Sequence, residues 1–172
     1  GILNSKMGWF LITKYCTQIQ NGCQLIWKYF SKIPIPELNN SNLDLEVNLM
    51  LSLNRDFQNI YKKFQNYLEQ KFSLEKLSRK LQNWHELDFG DFIKELNKAI
   101  KANNKLRAKE DLEPIQTLTK KDEFEWLDLF EENKQKAQAL QTQINQTDKE
   151  IDAMVYELYG LSDEEIQIVE NS

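Results

Sequence analysis

From Thr119 to Gly160 the chain runs for some forty residues without an internal Pro or Gly. Phe130, Ala137, Ile144, Ile151 and Leu158 recur at every seventh position, so in a helix they share one face. Leu127, Leu140, Met154 and Val155 widen that stripe towards its ends. Thr119 is placed to cap the start, and Asp122 and Glu123 face the positive end of the helix dipole. Gly160 stands where a left-handed C-cap is needed. At about 1.5 Å per residue, forty residues make a rod on the order of 60 Å long. That is too long for the core of one compact domain, so the expectation is an extended, coiled-coil-like arm.

Such a rod needs a partner for its apolar face, and the chain supplies one. Leu45, Leu49, Leu53, Phe57, Ile60, Phe64 and Leu68 keep three- and four-residue spacing between Asp44, read as the cap, and Gln70. This stripe is long enough to lie antiparallel against the first two-thirds of the 119–159 helix. Phe72-Ser73 breaks it, Ser73–Leu81 reads as a shorter helix, and Leu87–Asn103 as another. Asn103–Glu113 is polar and precedes Pro114, so it reads as a mobile loop. Ser162-Asp163-Glu164-Glu165 reads as a capping box for a last helix, with Ile166 and Val169 as its buried contacts. At the front, Ile2–Ile19 is predicted helical, Gln20-Asn21-Gly22 a break, and Gln24–Phe30 a strand. Ile33-Pro34-Ile35-Pro36 cannot be helical, because each Pro lacks a donor and holds its predecessor extended. A polar linker, Asn39–Asn42, then marks the boundary between residues 1–38 and a helical arm or bundle over 43–172, with long helices 44–70 and 119–159. The expected fold class is mainly α: a long antiparallel helical hairpin with shorter packed helices and a small α/β remnant at the N-terminus.

Composition agrees, since 5 Gly and 3 Pro in 172 residues leave few helix breaks. The net charge of −5 argues against a nucleic-acid partner only if the charge is evenly spread, and it is not. Residues 1–36 hold four lysines and no acid, while residues 122–172 hold fourteen acids against three lysines. An anionic ligand is therefore expected at one end only. Nothing in the sequence resembles a membrane span, and Gly1–Ile19 lacks the cleavage site of a signal peptide. Cys16 and Cys23 read as two reduced thiols of a cytoplasmic protein, since no histidine or cysteine cluster surrounds them. The chain begins in mid-pattern and without Met, as a piece of a longer polypeptide would.

No constellation carries catalysis. Asp88-Phe89-Gly90 spells a kinase metal-binding triplet without the glycine-rich loop or the other kinase elements, so it reads as a helix turn. His85, between Trp84 and Glu86, reads as a hydrogen-bonded histidine at a helix end rather than a general base. Neither catalytic, cofactor-binding nor metal-binding residues are assigned. Lys134, Gln141 and Asp148 lie seven apart beside the apolar stripe, as a solvated flank or as polar residues fixing register. The patch with most to offer a ligand is the N-terminal one. Lys14, Lys28 and Lys32 suit phosphates, and Gln18, Gln20, Asn21 and Gln24 can reach base edges, with Tyr15, Trp27 and Tyr29 between them.

Gly1-Ile2-Leu3-Asn4-Ser5-Lys6 with Phe10, the Asn-Gly turn, Lys28-Tyr29 and Ile33-Pro34-Ile35-Pro36 resembles the last part of a DNA target-recognition domain. Such domains occur in adenine-N6 DNA methyltransferases of restriction-modification systems, and similar ends occur in type I specificity subunits. The run from Ile151 to Glu170, together with Lys80–Ile100, looks like the end of Taq-type and type IIG polypeptides, so the likeness spans essentially the whole chain. The resemblance implies a parent enzyme with an S-adenosylmethionine-binding domain and an Asn-Pro-Pro-Tyr motif. This sequence has no Asn-Pro pair, so no methyl transfer is expected from these residues alone, nor a cofactor bound by them. The implied role is non-catalytic: recognising and positioning duplex DNA for a catalytic domain of the same polypeptide. The alternative is a structural helical module for dimerisation or docking, with no DNA contact of its own. Either reading leaves a homodimer open.

Overall fold

The computed structural model describes residues 1–37 and 41–172. They form seven α-helices, three short 3-10 turns and one two-stranded antiparallel sheet, a mainly α protein as the sequence predicts. Two compact units divide them: Gly1–Leu53 with Gln143–Ser172, and Asn54–Thr142. The two longest helices, α3 (Ser41–Lys71) and α6 (Lys120–Tyr159), each contribute to both.

In the first unit, α1 (Lys6–Tyr15) is capped by Ser5, whose hydroxyl accepts from the Gly8 amide at 3.1 Å and donates to the Ile2 carbonyl at 2.6 Å. Its first amide, Lys6 N–H, donates to Asp152 on α6 at 2.9 Å. The helix predicted over Ile2–Ile19 stops at Tyr15, because Cys16 turns extended and the next residues find a strand partner. Strands β1 (Thr17–Ile19) and β2 (Gly22–Gln24) pair antiparallel with Thr17 opposite Gln24 and Ile19 opposite Gly22. Gly22 sits at φ +143°, a conformation that side chains with a Cβ rarely adopt. The strand predicted over Gln24–Phe30 is thus confined to Gly22–Gln24, and Trp27–Phe30 closes instead into one helical turn, α2, on the Ile26 carbonyl. Ile2, Met7, Leu11, Cys16 and Ile33 share a core with Leu43 of α3 and Ile151, Val155 and Tyr156 of α6. Tyr159 O–H donates to the Pro34 carbonyl at 2.7 Å, fixing the Ile-Pro repeat.

Gly160 ends α6 at φ +65°. The Leu161 amide reaches back to the Tyr156 carbonyl and the Gly160 amide to that of Glu157, the paired bonds of a Schellman motif. Ser162 and Glu165 close the predicted capping box of α7 (Asp163–Glu170), which buries Val169 and leaves Ile166 half-buried.

The second unit is built on aromatics. Phe64 and Leu68 of α3, Leu81 of α4 (Arg79–Gln82), Phe92, Leu96 and Ile100 of α5 (Phe89–Arg107), and Trp126 and Phe130 of α6 form its core with Trp84. Phe92 and Phe130 stack with centroids 4.5 Å apart, and Phe64 lies 4.2 Å from Trp84. These contacts set α3 antiparallel to α6. In the first unit, Leu43 and Val47 of α3 share a core with Ile151 and Val155 of α6. On α6 the heptad holds at Phe130, Ala137 and Ile151, while Ile144 and Leu158 are only half-buried.

Several boundaries differ from expectation. Helix α3 opens at Ser41, so Asp44 lies in its first turn rather than at the cap. Asn39 and Asn40 of the predicted linker lie outside the described residues. Ser73 takes φ +45° and ends α3, after which Leu74 and Leu77 bury themselves without helix, and only Arg79–Gln82 of the predicted 73–81 helix forms. The stretch read as a mobile loop is held: α5 continues to Arg107, Asn104 bonds both the amide and the carbonyl of Ile115, and Arg107 Nε donates to the Glu113 carbonyl. Thr119 caps α6 as predicted, with the Thr119 amide and hydroxyl both donating to Asp122 Oδ2 at 2.8 and 2.7 Å.

Candidate nucleic-acid interface

All seven predicted contact residues lie within the first unit, on or beside the β1–β2 hairpin, and all are exposed. Lys14 occupies the last turn of α1, where a cation complements the helix dipole, with its Nζ 5.1 Å from the Phe10 ring centroid. Gln20 and Asn21 form the hairpin turn. Lys28 lies in α2 with its Nζ 5.8 Å from the Tyr29 ring, and Lys32 follows that turn.

The strand register decides which of these can act together. Residues paired across the ladder share a face, and successive residues alternate. Gln24 therefore shares a face with Thr17 and Ile19, whereas Gln18 shares the opposite one with Cys23, which packs against the core. Gln18 Nε2 turns back towards the Thr13 carbonyl at 3.5 Å. The two glutamines cannot read one groove together. Gln24 with the turn residues Gln20 and Asn21 is the combination the hairpin presents outward.

The four N-terminal lysines are not equivalent either. Lys6 pairs with Glu170 of α7, and that hydrogen bond, with the Glu170 charge, raises the Lys6 pKa against a smaller opposing effect of burial. Lys14, Lys28 and Lys32 make no ion pair among the described residues. Between these cations stand exposed apolar side chains: Trp27 at 75% exposure, Leu25 at 58% and Ile19 at 56%. Sequence reading did not single out Ile19 or Leu25, because alternation cannot tell which face of a three-residue strand is covered. The hairpin is tied down by Cys23 and Phe30, both half-buried against the first core, and the two thiols are free.

Elsewhere the chemistry considered in the sequence resolves into structure. Asp88 is the N-cap of α5, its carboxylate accepting from the Asp91 amide at 2.7 Å, and Phe89 packs on Phe92 and Phe130. His85 is held among rings: Phe57 at 5.3 Å, Tyr61 at 5.7 Å and Trp84 at 5.8 Å between centroids. Its Nδ1 is buried without a hydrogen-bond partner, contrary to the expected satisfied histidine, and burial lowers its pKa while Glu86 opposes that shift. Lys134 lies over the Phe130 ring at 5.7 Å, so it covers the apolar seam as well as flanking it. Among the described residues, no group of three or more His, Cys, Asp or Glu side chains is arranged to hold a metal ion, and no helix is long and apolar enough to cross a membrane.

A second basic surface escaped the sequence reading. Lys94, Lys98, Lys101 and Lys105 lie along one exposed face of α5 in the second unit. Their 4–3–4 spacing is visible in the sequence, interleaved with the apolar stripe of the same helix.

Residues 36–155 match the family described as a domain of unknown function (DUF8810). No curated protein and no solved structure matches the chain. The match spans well over half of the sequence, and the chain belongs to that family.

Proposed function

We propose that this DUF8810 member is the non-catalytic, DNA-positioning part of an adenine-N6 DNA methyltransferase of a restriction-modification system. The observation that carries the reading is the acid-free hairpin surface, where Lys14, Lys28 and Lys32 stand exposed and without ion-pair partners. Unpaired cations of this kind contact phosphates and fix register on a duplex, while Gln24, Gln20 and Asn21 are presented outward as candidates for base edges. The resemblance of the LNSK…IPIP segment and of the Ile151–Glu170 ending to restriction-modification polypeptides supports the same assignment. On this reading S-adenosylmethionine and the transfer chemistry belong to a catalytic domain, with which the helical part docks.

The test is a titration of labelled duplex DNA at low and moderate salt. Each phosphate-contacting lysine removed should lower the salt slope by about one. Lys14→Ala/Lys28→Ala is therefore expected to weaken binding and flatten its salt dependence. Identical binding by parent and variant removes the hairpin from the interface.

A second reading, a docking module without DNA contact, is favoured by the exposure of Leu25, Ile26 and Trp27. It predicts concentration-dependent mass in analytical ultracentrifugation and no duplex affinity.

A further inference from the structure

Of the four lysines on the α5 face, only Lys98 serves the fold among the described residues. Lys94, Lys98, Lys101 and Lys105 stand at intervals of four, three and four residues, so all four project from one side of the helix. Like charges at these spacings repel and weaken a helix, and an ordinary solvated face interleaves acids to relieve them. Here neither Lys101 nor Lys105 has an acid three or four residues away on either side. Lys98 is committed, since with Lys80 it flanks the buried carboxylate of Glu95 at 3.9 and 3.6 Å. Lys94, Lys101 and Lys105 form no ion pair among the described residues.

The surroundings narrow the ligand. The stripe borders a shallow groove of about 580 Å³ whose other linings are Asn97 and Ala102. Ala102 is the sole apolar residue lining that groove, and a separate cavity of about 640 Å³ lined by Leu74, Leu77, Ala99 and Leu106 opens beyond Lys98 and Ala102. Of the neighbouring asparagines, Asn104 bonds Ile115 through both atoms of its amide, and Asn97 Oδ1 accepts from the Leu118 amide at 2.9 Å. The four lysines make a straight line of cations about 16 Å long, from the helical rise over eleven residues. A continuous, evenly charged polyanion fits such a line, and duplex DNA carries one charge per about 1.7 Å of axis.

We infer that the α5 lysine face binds the phosphate backbone of duplex DNA, independent of sequence. It is a contact surface separate from the hairpin, and its charge pattern stands whether or not the hairpin reading holds.

Lys94→Ala/Lys101→Ala/Lys105→Ala in the full 172-residue chain tests it, with Lys98 left to neutralise Glu95. Alanine is the best helix former, so α5 should persist, and circular dichroism checks that it does. Binding of a short labelled duplex is followed by anisotropy across a salt series. The expected result is a salt slope shallower by about 2.7, at 0.9 per lysine, with affinity at low salt reduced at least tenfold. The corresponding Lys→Arg triple should keep slope and affinity, and a Lys→Gln triple should lose both as the alanine variant does. Unchanged slope in the alanine and glutamine variants overturns the inference, and so does absence of duplex binding by the parent. Binding to phosphatidylserine vesicles but not to duplex also overturns it, because the partner is then a membrane surface. Loss in the α5 triple with no change in Lys14→Ala/Lys28→Ala sinks the hairpin reading alone, and the reverse pattern sinks this one alone.

Discussion

The two compact units are held together by different physics. The second is an aromatic cluster in which Trp84, Phe92 and Phe130 are fully buried, with the Phe130 ring against both of the others. In the first, mostly aliphatic residues form the core around Tyr156, and polar staples fasten its parts: Asp152 on the Lys6 amide, Glu170 on the Lys6 ammonium and the Tyr156 hydroxyl, Tyr159 on the Pro34 carbonyl. The first unit also exposes Trp27, Leu25 and Ile19 on the hairpin, beside unpaired lysines. Apolar area buried in a close-packed core is the dominant stabilising term, whereas exposed ionic staples contribute little each. A unit held the second way can keep a surface chemically open, and that is where the candidate contacts lie.

The sharpest way to break the contrast is to hollow out the aromatic unit. Phe130 is fully buried and meets Phe64, Trp84, Phe89 and Phe92. Phe130→Ala removes the ring around which those contacts are made, and the expected cost is about 3–5 kcal/mol. Denaturant unfolding followed by the fluorescence of Trp84 and Trp126 measures it. A cost below about 1 kcal/mol, the range of an exposed pair, would show that the ring cluster does not dominate the unit.

Gly8 is the corresponding weak point of the first unit. A Cβ there would lie 2.2 Å from the Ile2 carbonyl oxygen and 2.7 Å from Leu3 Cα, both backbone atoms that cannot swing aside. Gly8→Ala should therefore destabilise by about 1–3 kcal/mol, despite the better helix propensity of alanine. Trp9 and Trp27 report on this unit, so their transition should shift to lower denaturant. An unchanged midpoint would mean that the turn at Ile2–Asn4 rearranges freely.

Those two positions also show what the sequence could and could not disclose. The ends of α6 and the capping box of α7 are local chemistry, in which Thr119, Gly160, Ser162 and Glu165 act on backbone within a few residues, so they were legible. The hairpin turn at Asn21-Gly22 was legible for the same reason, but its strands were not: Thr17–Ile19 leaves the helical pattern only because Gly22–Gln24 offers it a ladder. Leu74, Leu77 and Leu81 keep helical spacing yet are buried largely from an irregular segment, so periodicity reported burial rather than helix. The polar stretch after Asn103 reads as loop until Asn104 is seen clamping Ile115, a contact eleven residues away. At the site, the lysines and the absence of acids were legible, whereas the opposed faces of Gln18 and Gln24 depend on register.

A smaller effect comes from His85, which the aromatic unit holds neutral. Its folded pKa lies below the ordinary 6.5, with burial as the main cause, so on acidification the unfolded chain takes up a proton before the folded one does. Stability of the second unit should therefore fall as pH drops below 6.5 towards the folded value. His85→Phe keeps a ring among Phe57, Tyr61 and Trp84 and removes the proton, so it should flatten the dependence in that window. An equal slope in parent and variant would assign the acid sensitivity to other groups.

The smallest effect is expected where the first unit looks most elaborately tied. The Lys6–Glu170 pair is exposed at both ends, at 47% and 38%, and exposed pairs contribute about 0–1 kcal/mol. Glu170 has a lowered pKa, from its hydrogen bond to Lys6 first and that to Tyr156 second. A depressed carboxylate stabilises the fold above its unfolded value, near 4.5, and loses that contribution as pH falls through the folded one. Asp152 runs the other way: burial raises its pKa against the Lys6 amide bond, so it costs stability once the pH exceeds the ordinary carboxylate value. Lys6→Ala should accordingly cost no more than about 1 kcal/mol at neutral pH, and the difference from the parent should vanish well below pH 4.5. Asp152→Asn keeps an oxygen for the Lys6 amide without the buried charge, and should leave stability at neutral pH equal or higher. Urea midpoints measured from pH 7 downwards separate the two. A large loss in Asp152→Asn would mean that the charge itself, at the start of α1, outweighs its burial.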